Sequence, residues 1–364
     1  MTSFQRNLFL SFTIAIAADT LSVCAFAPRF WQMGVYPLGN NYEWYRALTF
    51  LLQVEDPFRF DIEAAMRWRF LPPLMAWALH LPGNTPLVIP WIGAFCASAY
   101  VARLGFSRTA DWRFALGLTV LFASTSAVIV PIGWFGMNDA WIWLALLVIA
   151  FSHSTTAITA SYLLAPWVDV RFYIGLPIAW CARAADGSFA VRDLAYGALL
   201  LPYIGVRVAL SGGPFADPIE RHFLGTQLSD VRTYVSAVPM GWWMGLRMAW
   251  IPLVYGLWRM DKKLRTTTLL TLTVVLTVTV ITAHDLSRSV AIVIPLVVAG
   301  ALVFQREYSS LAPKTALWIA MAALLVPGAH VVRDHVTIIN NIGIELHRWH
   351  LFLTSQARGT EFVR

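Results

Sequence analysis

The sequence predicts an all-α fold, a polytopic bundle of transmembrane helices. Of its 364 residues, 58% are hydrophobic and 13% are charged, whereas soluble domains average about 25% charged residues. So few charges cannot cover a water-exposed surface, but lipid tails solvate apolar side chains without them. The 17 tryptophans support this prediction, because many fall near the ends of apolar runs, where membrane–water interfaces concentrate them.

Apolar runs of about 20 residues mark the helices that can cross a bilayer, and by that rule we predict about 11 spans in a single membrane domain, residues 1–364. The first run resembles a signal peptide, but Pro28 follows its small-residue site and indicates an uncleaved span. The spans lie near residues 7–27, 66–82, 86–103, 114–134, 139–154, 157–182, 191–211, 240–258, 266–283, 289–304 and 315–332.

Short basic loops predict the orientation of these spans. Residues 259–265 form the most basic loop, which we expect to be cytoplasmic. Counting spans from it places the N-terminus inside and places residues 28–65, 212–239, 284–288 and the C-terminal tail outside. The arginines at positions 103, 108 and 113 disagree, because the same count places them outside. Either the rule fails there, or a segment such as 66–82 or 157–182 is not a simple span.

Two external segments are expected to lie in the membrane interface, residues 28–65 and the tail 333–364. Within them, residues 40–65 and 335–353 space apolar residues as amphipathic interfacial helices do. We therefore interpret His347 and His350, with Glu345, as polar residues of such a helix and not as a metal site.

The remaining composition indicates no cofactor, no metal and no nucleic-acid partner. The net charge of +7 is spread over short loops, which fits membrane orientation and anionic membrane lipids better than nucleic acid. Cys24, Cys96 and Cys181 lie in apolar stretches without motif spacing. The sequence contains no phosphate-binding glycine loop, no zinc-protease motif and no nucleophile elbow.

Ionisable residues within or beside the spans are the candidates for chemistry, because a membrane makes them costly. Glu43 and its neighbouring acids on the first external segment could serve as a general base, with Arg67 and Arg69 as phosphate ligands. The alternative is a solvated loop whose charges pair among themselves.

Two further charged pairs stand out. Asp169 and Arg171 share one apolar run but are spaced so that a regular helix keeps them apart, which predicts a broken helix or partners on other spans. Asp285 and Arg288 can face each other at a helix start. For each pair the alternative is a purely structural ion pair. Asp139 is interpreted as a helix N-cap or first-turn acid, and Asp19, inside the first span, suggests a partner arginine.

Taken in order, the motifs resemble those of a group of uncharacterised bacterial multi-spanning proteins, which in turn resemble the GT-C superfamily of glycosyltransferases. The resemblance covers most of the chain as a loose pattern. It comprises Asn41-Tyr42-Glu43-Trp44-Tyr45, Asp56-Pro57-Phe58, Arg69-Phe70-Leu71-Pro72-Pro73-Leu74, Gly136-Met137-Asn138-Asp139-Ala140, Asp169-Val170-Arg171-Phe172 with Leu176-Pro177, and Asp285 with Arg288 and Pro295.

This resemblance implies a glycosyltransferase of the bacterial plasma membrane. Such an enzyme transfers a sugar from a polyprenyl-phosphate carrier to a glycan or lipid acceptor on the external face. Glu43 would then be the base, Arg171 and Arg288 would bind the carrier phosphate, and Asp169 and Asp285 would orient these arginines.

Two other functions remain open. A transporter or flippase for a lipid-linked or small anionic substrate would use the same arginines along a pathway, although the matched halves that transporters often show are missing from this sequence. A membrane-bound acyltransferase would need a histidine inside the membrane, whereas His80, His153 and His284 lie near the predicted span ends.

Overall fold

The computed structural model describes residues 3–28, 42–59, 62, 64–211 and 218–358, and at some of these, including 42–45, it describes the backbone alone. Helices dominate, as predicted. The first half contains α1 (Ser3–Ala25), α2 (Tyr42–Glu55), α3 (Ala64–Arg67), α4 (Leu71–Ala78), α5 (Ile89–Thr109), α6 (Trp112–Ala123), α7 (Ser126–Gly133), α8 (Ala140–Phe151), α9 (Thr155–Leu164) and α10 (Arg171–Ala185).

The described residues of the second half form nine α-helices and one antiparallel hairpin. These are α11 (Leu201–Ser211), α12 (Pro218–Tyr234), α13 (Val238–Leu246), α14 (Trp250–Arg259), α15 (Lys262–Thr282), α16 (Leu286–Ser289), α17 (Ile294–Glu307), α18 (Ala312–Leu325), β1 (Gly328–Val332), β2 (His335–Ile339) and α19 (Ile342–Arg358). Short 3-10 segments occupy Thr85–Val88, Ala165–Trp167, Val191–Leu200, Val235–Ala237, Arg247–Ala249 and Val290–Val293.

Five helical segments among the described residues are long and apolar enough to cross a membrane. A sixth is the pair α6 and α7, if their 56° bend is one broken span. The most buried of the five is Leu286–Glu307, in which 94% of the most apolar 18-residue stretch lies inside the protein, so it forms the centre of the bundle. The other four are Gln5–Ala25, Thr85–Thr109, Val191–Leu210 and Lys262–Thr282. The fold is therefore that of a helical protein with several membrane-compatible helices, fewer than the 11 spans predicted.

Two predicted spans are wrong as continuous helices, and both errors trace to proline. Residues 66–82 form only the short helices α3 and α4, and α4 begins at a Pro72-Pro73 pair, whose missing N–H groups are tolerated only in a first turn. Residues 157–182 form α9, a 3-10 turn around Pro166 and then α10, so this run reverses between two separate helices.

The predicted span 315–332 is also corrected. Helix α18 ends before Pro327, which cannot continue a helix, and residues 328–339 form the hairpin β1–β2. The expected interfacial helix 335–353 is therefore a strand followed by α19. The predicted span 240–258 is broken at Arg247, which has a φ of +48°. On the first external segment, the expected helix within residues 40–65 is present as α2.

The charged loops group at two opposite ends of the bundle. At one end, which we call the basic end, Arg108 lies 2.8 Å from Asp186 and Arg306 lies 3.8 Å from the same carboxylate. The hairpin end is defined by β1–β2, where the N–H of Ala27 donates to the carbonyl of Asn340. Helix α10 connects the two ends, since it starts at Arg171 near the hairpin and finishes beside Asp186.

This grouping removes the conflict in the predicted orientation. Arg108 lies at the end that Arg306 and the basic loop 259–265 occupy, and not opposite to it. The span count failed because α9 and α10 run in opposite directions where one span was expected, so one more crossing lies between Arg113 and the basic loop: Arg171 at the start of α10 meets Asp139 before α8, and Arg183 near its end meets Ser152 before α9. All of these basic residues can therefore face the cytoplasm, as the rule for short loops requires.

We expect cysteine labelling to report this arrangement. In a variant whose three native cysteines are replaced by alanine, Arg113→Cys and Lys262→Cys should both resist a membrane-impermeant maleimide applied to intact cells. The cysteine of Asp334→Cys, in the exposed turn between β1 and β2, should react with the maleimide. Labelling of Arg113→Cys together with Asp334→Cys would contradict the shared basic end.

A glycine contact fixes the central helix α17 against α14. The Cα of Gly300 lies 2.6 Å from the position that a Cβ on Gly256 would occupy, and a Cβ on Gly300 would collide with the carbonyl oxygen of Pro252. Small residues allow such close backbone approach between membrane helices.

Gly300→Ala should therefore lower stability by about 1–3 kcal/mol, the usual range for overpacking. Gly205→Ala is the matched control, because a methyl group there meets no atom within 4 Å. Thermal unfolding in detergent measures both variants, and equal midpoints would rule out the tight crossing.

Candidate functional site

Six charged residues meet at the hairpin end in an alternating row of arginines and aspartates. In order of contact the row runs Arg69, Asp169, Arg171, Asp139, Arg288 and Asp285. We call this set the charged cluster. All three carboxylates are at most 7% exposed. Burial of an unpaired ion costs several kcal/mol, so the alternation of sign is what makes this arrangement possible.

Asp169 and Arg171 face each other because Asp169 precedes helix α10. One carboxylate oxygen accepts the backbone N–H of Arg171 at 2.9 Å and its side-chain Nε at 3.1 Å. The other oxygen lies 2.9 Å from Nη2 of Arg171 and 2.7 Å from Nη2 of Arg69. The helix break after α9 thus brings the two residues into contact, as the sequence predicted for a broken helix.

Asp139 is the centre of the charged cluster. It occupies the N-cap position of α8, but its side chain makes no capping hydrogen bond. It pairs instead with Nη2 of Arg171 through one oxygen and lies 3.2 Å from Nε of Arg288 through the other. Asp139 therefore holds the predicted N-cap position, but its carboxylate is shared by two buried guanidinium groups and does not cap the helix through a hydrogen bond.

Asp285 and Arg288 pair at the start of α16. The carboxylate of Asp285 caps the helix by accepting the N–H of Arg288 at 3.1 Å, and its second oxygen lies 2.8 Å from Nε of Arg288. Burial would raise the pKa of Asp285, but His330 and Arg288 outweigh it and hold the pKa below its usual range. Asp285 therefore stays ionised at neutral pH.

His330 extends the charged cluster into the hairpin. Its Nε2 lies 3.4 Å from Asp285, its Nδ1 lies 3.1 Å from the Ser287 hydroxyl, and its ring packs on Trp134 with centroids 4.4 Å apart. Ser287 also accepts the N–H of Val331 at 2.9 Å. Sequence analysis missed His330 because it assigned residues 315–332 to a spanning helix. Pro327 and Gly328, which interrupt helices, are followed by β-branched residues, and this pattern could have predicted a strand that contains His330.

A further positive charge approaches the charged cluster from α2. Nη1 of Arg46 lies 3.4 Å from the sulfur of Met137, and Arg288 contacts the same sulfur. A fourth arginine therefore borders the charged cluster, and Arg46 is a residue that sequence analysis did not select.

The structure brings five of the seven predicted site residues together, namely Asp169, Arg171, Asp285, Arg288 and Arg69. Arg67 is half-buried at the end of α3 and takes part in none of the ion pairs described above. The backbone of Glu43 lies in the first turn of α2, and its side chain is outside the described part of the chain. Asp19, expected beside an arginine, instead accepts a hydrogen bond of 2.7 Å from Ser98.

Neither a metal site nor a relative identifies the chemistry of this cluster. Within the described ranges, no group of three His, Cys, Asp or Glu side chains is arranged to hold a metal ion. Comparison with known protein families, curated proteins and solved structures finds no match to this chain.

Asp139→Asn tests whether the charged cluster depends on its central carboxylate. The substitution keeps the shape but leaves Arg171 and Arg288 with too little negative charge, so we expect a loss of about 3–5 kcal/mol in the free energy of unfolding.

Glu307→Gln is the matched control at the basic end, where Glu307 pairs with Arg259 within reach of solvent. Exposed pairs contribute little, so its thermal midpoint in detergent should stay close to that of the wild type. If Asp139→Asn and Glu307→Gln changed the thermal midpoint equally, the charged cluster would contribute no more to stability than an exposed ion pair.

Proposed function

We propose that this chain is a membrane glycosyltransferase that transfers a sugar from a polyprenyl-phosphate carrier to a glycan or lipid acceptor on the external face. The observation that carries the proposal is the charged cluster, in which buried Arg171 and Arg288 share the carboxylate of Asp139. Buried guanidinium groups held in place by carboxylates are suited to gripping a phosphate, because their planar forks match its oxygens.

The position of the charged cluster supports an external site. It lies at the hairpin end, away from the basic end with Arg108, Arg306 and Lys262. If the basic end is cytoplasmic, then the charged cluster belongs to the leaflet on the other side. A polyprenyl-phosphate carrier would place its headgroup there while its chain stays in the bilayer.

Glu43 remains the proposed base. It precedes Arg46 by three positions on α2, and residues three apart occupy one face of a helix. Arg46 reaches Met137, which borders Arg288. In this proposal the carboxylate of Glu43 takes the proton of the acceptor hydroxyl as the sugar is transferred.

A transporter or flippase of a lipid-linked or small anionic substrate is the second candidate, and one observation favours it. The helices next to the charged cluster are discontinuous, at the α9–α10 turn and at the α6–α7 bend of 56°. Broken helices around buried charges are typical of transporter binding sites.

Sugar transfer by the purified chain separates the two candidates. In nanodiscs supplied with polyprenyl-phosphate hexoses and a panel of acceptors, we expect radiolabel to pass to an acceptor. Glu43→Gln should lower this rate by a factor of about 100 or more, the usual contribution of a general base.

Glu55→Gln is the control on the same helix, since Glu55 is exposed at the far end of α2, and it should retain the wild-type rate. Absence of transfer and of donor hydrolysis in the folded wild type, together with flux of the carrier across liposomes, would replace the enzyme with the transporter.

A further inference from the structure

Four buried polar atoms of Asn138, Asp139, Arg171 and Arg288 have no hydrogen-bond partner among the described residues. Oδ2 of Asp139 and Nε of Arg288 lie 3.2 Å apart as an ion pair, which leaves Nη1 of Arg171 and Oδ1 of Asn138 to be accounted for. Arg171 is 7% exposed and Asn138 is 6% exposed, and neither atom contacts solvent. A buried polar group left without a partner costs about 1–3 kcal/mol, and more when it is charged.

The two atoms require opposite partners. Nη1 of Arg171 carries N–H groups and requires an acceptor, whereas the amide oxygen of Asn138 requires an O–H or N–H donor. The orientation of the amide is set by its nitrogen, which donates to the carbonyl of Gly136 at 3.4 Å. A phosphodiester group offers acceptor oxygens to Arg171 but carries no O–H for Asn138, so a ligand that contains it must supply the donor from another part of the molecule.

We infer that the charged cluster recognises a phosphorylated sugar as one unit, with Arg171 bonded to a phosphate oxygen and Asn138 accepting a hydrogen bond from a hydroxyl of the sugar. The inference rests on the proposed function and deepens it. It assigns Asn138 the task of distinguishing a sugar-loaded polyprenyl phosphate from the bare carrier. Asn138 and Asp139 are adjacent in the chain, and Asp139 contacts Arg171, so both contacts fall within one small region.

Helix α2 covers this region. A Cβ on Gly136 would lie 3.0 Å from the carbonyl oxygen of Arg46, and the side chain of Arg46 reaches Met137. The helix that carries the proposed base thus packs directly against the segment that carries Asn138.

The test compares two lipids on full-length protein in nanodiscs, namely farnesyl phosphate and farnesyl-phosphate hexose. Asn138→Ala should weaken binding of the hexose lipid about tenfold, the effect of losing one hydrogen bond, and leave farnesyl phosphate unchanged. Asn138→Asp keeps an acceptor oxygen but adds negative charge, so it should weaken both lipids while preserving the preference for the sugar. Arg171→Gln should weaken both lipids.

Asn84→Ala, at an exposed turn, is the control for folding and handling, and thermal midpoints are recorded for every variant. Equal loss of both lipids in Asn138→Ala, or no loss of either, would overturn the role of Asn138 while leaving the proposed function in place. Failure of the folded wild type to bind either lipid would overturn the proposed function and this inference with it.

Discussion

The carboxylate of Asp139 is the point on which this structure depends. It lies between two buried arginines that come from different parts of the chain, Arg171 at the start of α10 and Arg288 in α16. Each ion alone would be too costly to bury. Together they require α8, α10 and α16 to begin at one place, and Arg69 and His330 extend the same constraint to the segment before α4 and to the hairpin.

Helix ends make such a row of charges possible. Asp139, Asp169 and Asp285 all lie immediately before helices, where the partial positive charge of the first turn favours a carboxylate. Pro166, which interrupts the predicted span 157–182, precedes the helix end that holds Asp169. This interruption places Asp169 in contact with Arg171, whereas an unbroken helix would separate the two side chains.

The two ends of the bundle are built from different kinds of electrostatic contact. At the basic end, Arg259 and Glu307 pair while still 40% and 28% exposed, so water and salt weaken their attraction. At the hairpin end, the charged cluster is buried and its partners are mutually dependent. A ligand that adds or removes charge there acts on the packing of several helices at once.

Composition and apolar runs were sufficient to predict a helical protein with membrane-compatible helices, because lipid requires backbone groups to be satisfied within a helix. Local spacing also predicted that Asp285 and Arg288 can pair, and it gave a broken helix as one of two explanations for Asp169 and Arg171, although residues 157–182 were assigned to one span. Only the tertiary structure showed that Asp139 joins the two charged pairs, that His330 lies on a strand, and that Arg108 shares its end with Arg306. Those facts depend on contacts between residues tens to hundreds of positions apart, and hydrophobic periodicity carries no information about which distant charges meet.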